Sequence, residues 1–205
     1  MDDDPDMRES LSTLLTALGH PVCAYASAAE FRAGLPGISG GVLIVDLAMP
    51  EESGIELCQS LYEQGIRLPV IFITAHADVT SAVAAMKTGA LEFLEKPFDR
   101  ATLVRQVDKA LELDRQWRER EVAFRRLDER LAALNTTDRE TLALILQGES
   151  NKRMALRLNV TERAVERRRQ KLMQRLETHS LAELMDLAIT HRVLDEMRRL
   201  RNLNR

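Results

Sequence analysis

The chain has 205 residues, enough for one large domain or two modest ones, each with its own core. Its 45% hydrophobic and 30% charged residues include no uninterrupted apolar stretch near the ~20 residues of a membrane span. The acidic start Met1-Asp2-Asp3-Asp4 lacks the basic and apolar parts of a secretory signal, so a cytoplasmic protein with no membrane partner is expected.

The net charge of −3 hides a split. Residues 1–135 hold 14 Lys+Arg against 22 Asp+Glu, whereas residues 136–205 hold 15 against 10. Opposite signs in the two parts argue for two domains with different partners. Cys23 and Cys58 stand apart with no metal or redox spacing, which fits a reducing compartment and plain packing.

In chain order, residues 8–18 carry a helical pattern closed by Gly19. Residues 22–25 are a short strand candidate and 28–35 a helix. Val42-Leu43-Ile44-Val45, ending at Asp46, reads as a strand buried on both faces, and residues 68–73, ending at Thr74, read the same way. Helices are predicted over 55–64 and 79–88, closed by Gly65 and Gly89, with a further short strand at Glu92-Phe93-Leu94. The alternation predicts β-α repeats around a parallel sheet.

From residue 101 to about 134 there is no Gly or Pro, and one long helix, or two nearly end to end, is expected. Ala110, Trp117, Phe124 and Leu131 recur every seven residues, with Leu113, Leu127 and Leu134 three further on. Arg120 interrupts this seam. Its first turns are expected to pack on their own domain, and the remainder offers a dimerisation face.

Beyond Asn135 the pattern is all helical. Thr137 or Asp138 is expected to cap a helix ending near Gly148, and Ser150 one reaching Leu158. After the turn Asn159-Val160-Thr161, a helix runs to about Leu176, and a last one starts at Leu181. Two short helices across a tight turn, the second rich in Arg, form a helix-turn-helix candidate. Residues 150–175 hold nine basic and two acidic residues, a charge suited to a polyanion.

Asp2-Asp3-Asp4, Asp46, Thr74 and Lys96-Pro97 all sit where strands end, and groups at the carboxyl ends of parallel strands converge. Carboxylates offer hard oxygens to Mg²⁺. Together with an ammonium, that ion can neutralise a phosphoryl group moving onto one carboxylate.

Asp46-Leu47-Ala48-Met49-Pro50 with Ser53-Gly54 resembles the phosphoacceptor loop of receiver domains in two-component response regulators. Ile73-Thr74-Ala75-His76-Ala77-Asp78-Val79, Ala82 to Ala90, and Phe93-Leu94-Glu95-Lys96-Pro97-Phe98 resemble the FixJ branch of that family. The resemblance covers residues 1–110 and implies a doubly wound, flavodoxin-like (CheY-like) α/β receiver. It implies Asp46 as phosphoacceptor, Asp3 as a direct Mg²⁺ ligand, Asp2 as its helper through water, and the Ala48 carbonyl as a further ligand. Lys96 falls at the family's lysine, in a cis bond to Pro97, and Thr74 and Phe93 fall at its switch pair. Receivers place a buried strand of about five apolar residues before the acidic pair. Only Met1 stands there, so the first strand is expected to be missing, through a start misplaced downstream of the true one. If the chain does begin at Met1, a frayed terminus and a collapse of Mg²⁺ affinity are expected.

Residues 134–189 resemble the LuxR-type helix-turn-helix of FixJ/NarL regulators, through Thr137-Asp138-Arg139-Glu140, Gly148 to Lys152, Val160-Thr161, Val165-Glu166 and Lys171-Leu172-Met173. Where that pattern has Thr-Val, this chain has Ala164-Val165, and Arg168 replaces a usual His. By the family's pattern Glu166, Arg167 and Gln170 are base-reading candidates. Lys152, Arg163, Arg168, Arg169 and Lys171 are assigned to phosphates.

The implied organisation is a receiver (1–110), a linker helix (111–135) and an all-α DNA-binding domain (136–205). The implied protein is a transcription regulator rather than an enzyme, with a sensor histidine kinase and double-stranded DNA as partners and a homodimer on activation. The runner-up is a phosphorylation-independent DNA-binding protein whose truncated receiver only dimerises or docks. A phosphohydrolase of the haloacid dehalogenase type needs a second Asp two residues after the nucleophile, where this chain has Ala48.

Overall fold

The computed structural model describes residues 1–75, 83 and 85–203, with 194–203 as backbone only. In chain order its elements are α1 (Pro5–Ala17), α2 (Ala28–Gly34) with a 3-10 turn (Leu35–Gly37), β1 (Leu43–Asp46), α3 (Gly54–Glu63), β2 (Val70–Thr74) and β3 (Glu92–Glu95). They continue with α4 (Arg100–Ala132), α5 (Thr136–Leu146), α6 (Asn151–Leu158), α7 (Glu162–Arg175) and α8 (Leu181–Leu203). Of the helix expected over 79–88, residues 83 and 85–87 are helical. Residues 79–82 and 84, and the motif's His76-Ala77-Asp78, lie outside the described residues. The chain forms two compact units, Met1–Glu119 and Arg120–Arg205. Among the described residues no helix is long and apolar enough to cross a membrane.

In the first unit β1, β2 and β3 pair in parallel in that order, with Val45 beside Phe72 and Phe72 beside Phe93. Alternate residues face opposite layers. Leu43, Val45 and Phe72 pack with Phe31, Leu57 and Leu61 of α2 and α3. Ile71, Ile73 and Leu94 pack with Leu11 and Leu15 of α1 and with Leu103 and Val107 of α4. Burial on both faces explains why these strands are apolar throughout. Local chemistry sets the helix starts: Asp4 caps α1 with Pro5 following, and Ser53 with Glu56 forms a reciprocal capping box on α3.

The strand expected at residues 22–25 does not form, and the reason lies beside it. The extended backbone there has one ladder-like bond among the described residues, Asp2 N–H to the Tyr25 carbonyl at 3.3 Å. The neighbouring place in the sheet is held by Met1 alone. Its amine donates to the Ile44 carbonyl at 2.7 Å, and Asp46 N–H donates to the Met1 carbonyl at 3.0 Å. This is the bonding of a parallel strand one residue long.

Upstream of Met1, along the edge of β1, lies a cavity of about 350 Å³ lined by Leu11, Val22, Phe31, Val42, Ile44 and Val107 among others. The hollow opens to water, and its lining is partly polar through Arg8, Ser12, His20 and Ser39. The fraying expected of the terminus does not occur. Met1 is 9% exposed and Asp2 0%, because the hydrogen bonds above and burial among apolar neighbours hold them.

The second unit is all helical around Leu144, Ile145, Met154, Val165, Leu172, Leu176 and Leu184. Ser150 and Thr161 cap α6 and α7 as expected. The cap of α5 is Asn135 rather than Thr137 or Asp138. Its side chain accepts from Asp138 N–H at 2.9 Å, freeing the Asp138 carboxylate to pair with Arg175 of α7. The turn between α6 and α7 passes through Asn159 at φ 51°, a left-handed residue that stops the first helix. The late seam residues serve their own unit: Phe124 of α4 stacks on His191 with ring centroids 5.6 Å apart, and Leu134, just past the end of α4, is buried in the core.

Candidate functional site

Parallel pairing brings the carboxyl ends of β1, β2 and β3 to one edge, so Asp46, Thr74 and Lys96 converge without any contact being visible in sequence. Lys96 N–H donates to the Thr74 carbonyl at 2.7 Å, which fixes the root of the lysine, and the Lys96-Pro97 bond is cis. The Lys96 ammonium lies 2.6 Å from Asp46 Oδ2 and 2.8 Å from Asp2 Oδ2. Both carboxylates are buried, with Asp46 at 6% and Asp2 at 0% exposure. Burial works against the lysine's charge, but hydrogen bonds and charges from Asp2 and Asp46 outweigh it and raise its pKa. Two buried anions and one cation leave a net negative charge at this edge.

Asp3 is the exposed member of the cluster. One carboxylate oxygen each from Asp2, Asp3 and Asp46 lies within 4.8 Å of the others. Three hard oxygens converging beside an exposed residue suit Mg²⁺ in number and kind. The remaining oxygens are already directed: Asp46 Oδ1 accepts from Ala48 N–H and Asp2 Oδ1 from Asp4 N–H, both at 3.0 Å. Gly54 is obligatory in this loop, since a Cβ there would meet the Asp46 carbonyl at 2.5 Å. Thr74 is 3% exposed at the end of β2, and Phe93 is partly buried one strand over.

The sequence reading missed Arg8. Its guanidinium donates to the Asp2 and Asp3 carbonyls at 2.8 and 2.9 Å, holding the acidic pair from the first turns of α1. The available signal was the backward tilt of helical side chains toward the helix start.

On α7, at about 100° per residue, Arg163, Glu166, Arg167, Gln170 and Lys171 fall on the face opposite the buried Val165 and Leu172. All five are exposed, as is Lys152 on α6. Arg168 and Arg169 flank the core side and are partly buried, and Arg169 donates to Asn151 Oδ1 at 2.8 Å, tying α7 to α6. Some basic residues have carboxylate partners within the unit: Arg157 lies 3.1 Å from Glu149, with Arg153 more loosely placed at 3.6 Å, and Arg175 pairs with Asp138. Among the described residues no carboxylate pairs with Lys152, Arg163, Arg167, Arg168 or Lys171. α7 and the start of α6 thus present a group of basic side chains without carboxylate partners on and beside one helix face.

Comparison with known proteins matches the same two regions. Residues 1–108 match the response regulator receiver domain, and residues 132–188 match the bacterial regulatory proteins of the luxR family. The chain is 38% identical over 190 residues to the transcriptional regulatory protein FixJ of Azorhizobium caulinodans, covering 92% of this chain and 90% of that one. It is 33% identical to the response regulator protein TmoT of Ectopseudomonas mendocina, over 97% of this chain and 89% of that one. Among solved structures, the response regulator StyR is similar with a TM-score of 0.82 at 35% identity, covering 93% of this chain and 96% of StyR. With a CheY-like receiver fold in one unit, a helical luxR-family domain in the other and such relatives along nearly its whole length, the chain belongs to the FixJ-type DNA-binding response regulators.

Proposed function

We propose that this regulator takes a phosphoryl group from a sensor histidine kinase onto Asp46 and binds double-stranded DNA through α7, as a homodimer in its activated state and in the cytoplasm. The observation that carries the reading is the single Lys96 ammonium shared by two buried carboxylates, with Asp3 alongside. An Asp46 oxygen attacks phosphorus as the bond from phosphorus to the kinase's histidine nitrogen breaks, and the imidazole leaves. Lys96 offsets charge on the transferred oxygens.

Asp3, with Asp2 behind it and the Ala48 carbonyl beside it, would hold Mg²⁺. When bound, this ion supplies further neutralisation of the phosphoryl oxygens. Thr74 then draws toward the new phosphoryl oxygens, Phe93 rotates into the space released, and the surface formed by the last strands and helices changes. The switch is a shift between two populations, biased by differential contacts.

In the DNA-binding unit Glu166, Arg167 and Gln170 read base edges, while Lys152, Arg163, Arg168, Arg169 and Lys171 hold phosphates. The test is fluorescence anisotropy on a DNA site selected from a random library. Incubation with acetyl phosphate and Mg²⁺ should raise affinity at least tenfold for the parent and leave Asp46→Asn unchanged. Equal affinity of the treated and untreated parent protein would instead support binding independent of phosphorylation.

A further inference from the structure

The loop from β1 to α3, residues 47–53, is pinned at both ends by main-chain bonds. Leu47 N–H donates to the Ile73 carbonyl at 3.0 Å, and Gly54 N–H donates to the Leu47 carbonyl at 3.1 Å. Met49 is buried in the core, but from Pro50 to Glu52 the apex has little of its own to hold it. Glu51 sits at φ 68°, and Glu52 N–H reaches only back to the Pro50 carbonyl at 2.8 Å. The Ser53 side chain and Glu56 are occupied with each other in the capping box.

What anchors the apex comes from another element. Arg32 of α2 presents both terminal nitrogens to the Glu52 carboxylate, Nη1 to Oε2 and Nη2 to Oε1, the latter at 2.7 Å, and Nη2 also reaches Ser60 Oγ of α3 at 3.2 Å. One guanidinium thereby joins α2, the loop and α3. A bidentate fork restricts orientation as well as distance, which a lysine cannot do. The hydrogen bond from Arg32 also holds the Glu52 carboxyl below the usual carboxylate range.

We propose that Arg32 is a positioning residue for phosphoryl transfer: by clamping Glu52 it fixes the apex of loop 47–53 and so presets the Ala48 backbone beside Asp46. This rests on the reading of Asp2, Asp3 and Asp46 as a divalent-ion site. Ala48 is the link, because its N–H already orders Asp46 Oδ1 and its carbonyl is the proposed extra ligand. Groups bonded directly to metal ligands set metal affinity by ~10–100-fold; Arg32 and Glu52 act one step further out, through the loop backbone, so the lower end of that range is their upper bound. With side chains 35% and 25% exposed, the pair is partly screened by water and contributes modestly to stability, so its influence should fall on the loop rather than on folding.

The experiment is a Mn²⁺ titration of the full chain, read as loss of the free-ion signal by electron paramagnetic resonance, with a melting curve on each sample. Glu52→Gln and Arg32→Leu should each weaken Mn²⁺ binding by up to ~10-fold, Arg32→Lys should fall between, and the exchange Arg32→Glu with Glu52→Arg should recover most of the loss. Leu103→Val, a change in the other core layer, should lower the melting temperature and leave Mn²⁺ affinity alone. Folded Glu52→Gln binding Mn²⁺ like the parent overturns the clamp, as does a loss that Leu103→Val reproduces at the same melting temperature. Asp3→Asn separates the two levels. If it leaves Mn²⁺ binding intact, the ion-site reading fails and takes the clamp with it. If it abolishes binding while Glu52→Gln does not, only the clamp fails.

Discussion

Joining about five apolar residues ahead of Met1 should raise the melting temperature of the receiver by ~15 °C or more. Such a segment would lie along the edge of β1, where Met1 already takes the Ile44 carbonyl and the Asp46 N–H. Ordering the added residues costs ~1.5 kcal/mol each, and side-chain transfer into the groove lined by Leu11, Val22, Phe31, Val42 and Ile44 offsets it at ~1.5–3 kcal/mol each. The surplus comes from ladder bonds at ~1 kcal/mol each.

The gain should also depend on pH. Burial pushes the Met1 amine down to about 6 from 8.0, so the unfolded chain binds more protons in that interval. The parent therefore loses stability as pH falls from 8 to 6, whereas an extended chain, with an amide in place of the amine, does not. Calorimetry against a Gly/Ser extension of equal length checks both points. Equal melting temperatures for the two extensions would show that the cavity is not an acceptor for a strand.

Arg167→Ala should cost ~1–3 kcal/mol of binding to a selected DNA site and relax the preference at the base it contacts. The residue lies on the exposed face of α7 with no carboxylate partner among the described residues. Lys152→Ala and Arg163→Ala should weaken selected and random DNA alike and lower the slope of log affinity against log salt by ~1 each. Arg157→Ala should do neither, since its side chain is engaged with Glu149 at 3.1 Å and with Gln147 at 3.2 Å. Anisotropy titrations at several salt concentrations separate the classes. An Arg167→Ala loss of the same size on random DNA would place that residue among the phosphate contacts.

Strand and helix positions were legible where burial is two-sided or a cap is strong, as with β1, β2, Ser150 and Thr161. The convergence of Asp46, Thr74 and Lys96 followed from parallel topology, because each sits at a strand's end. Residues 22–25 misled for a physical reason: a strand needs a partner ladder, and the local pattern cannot report that its neighbour is one residue long. The cap at Asn135 was passed over because Thr137 and Asp138 are equally good cap types, and the choice is made by the Asp138–Arg175 pair across the fold. The Arg32–Glu52–Ser60 contact was invisible for a similar reason, since nothing in sequence spacing brings α2 against the phosphoacceptor loop. Arg168 and Arg169 looked like their neighbours in sequence, and only helix phase separates them from the exposed face.

Under the proposed function Asp46 accepts a phosphoryl group by virtue of Lys96 and a divalent ion held by its acidic neighbours. Incubation of the 205-residue chain with radiolabelled acetyl phosphate, followed by peptide mapping, tests it directly. Label should appear on the peptide containing Asp46, require Mg²⁺, and vanish in Asp46→Asn and Lys96→Met. A folded protein that takes up no label at saturating Mg²⁺, or that carries it on another residue, would contradict the account.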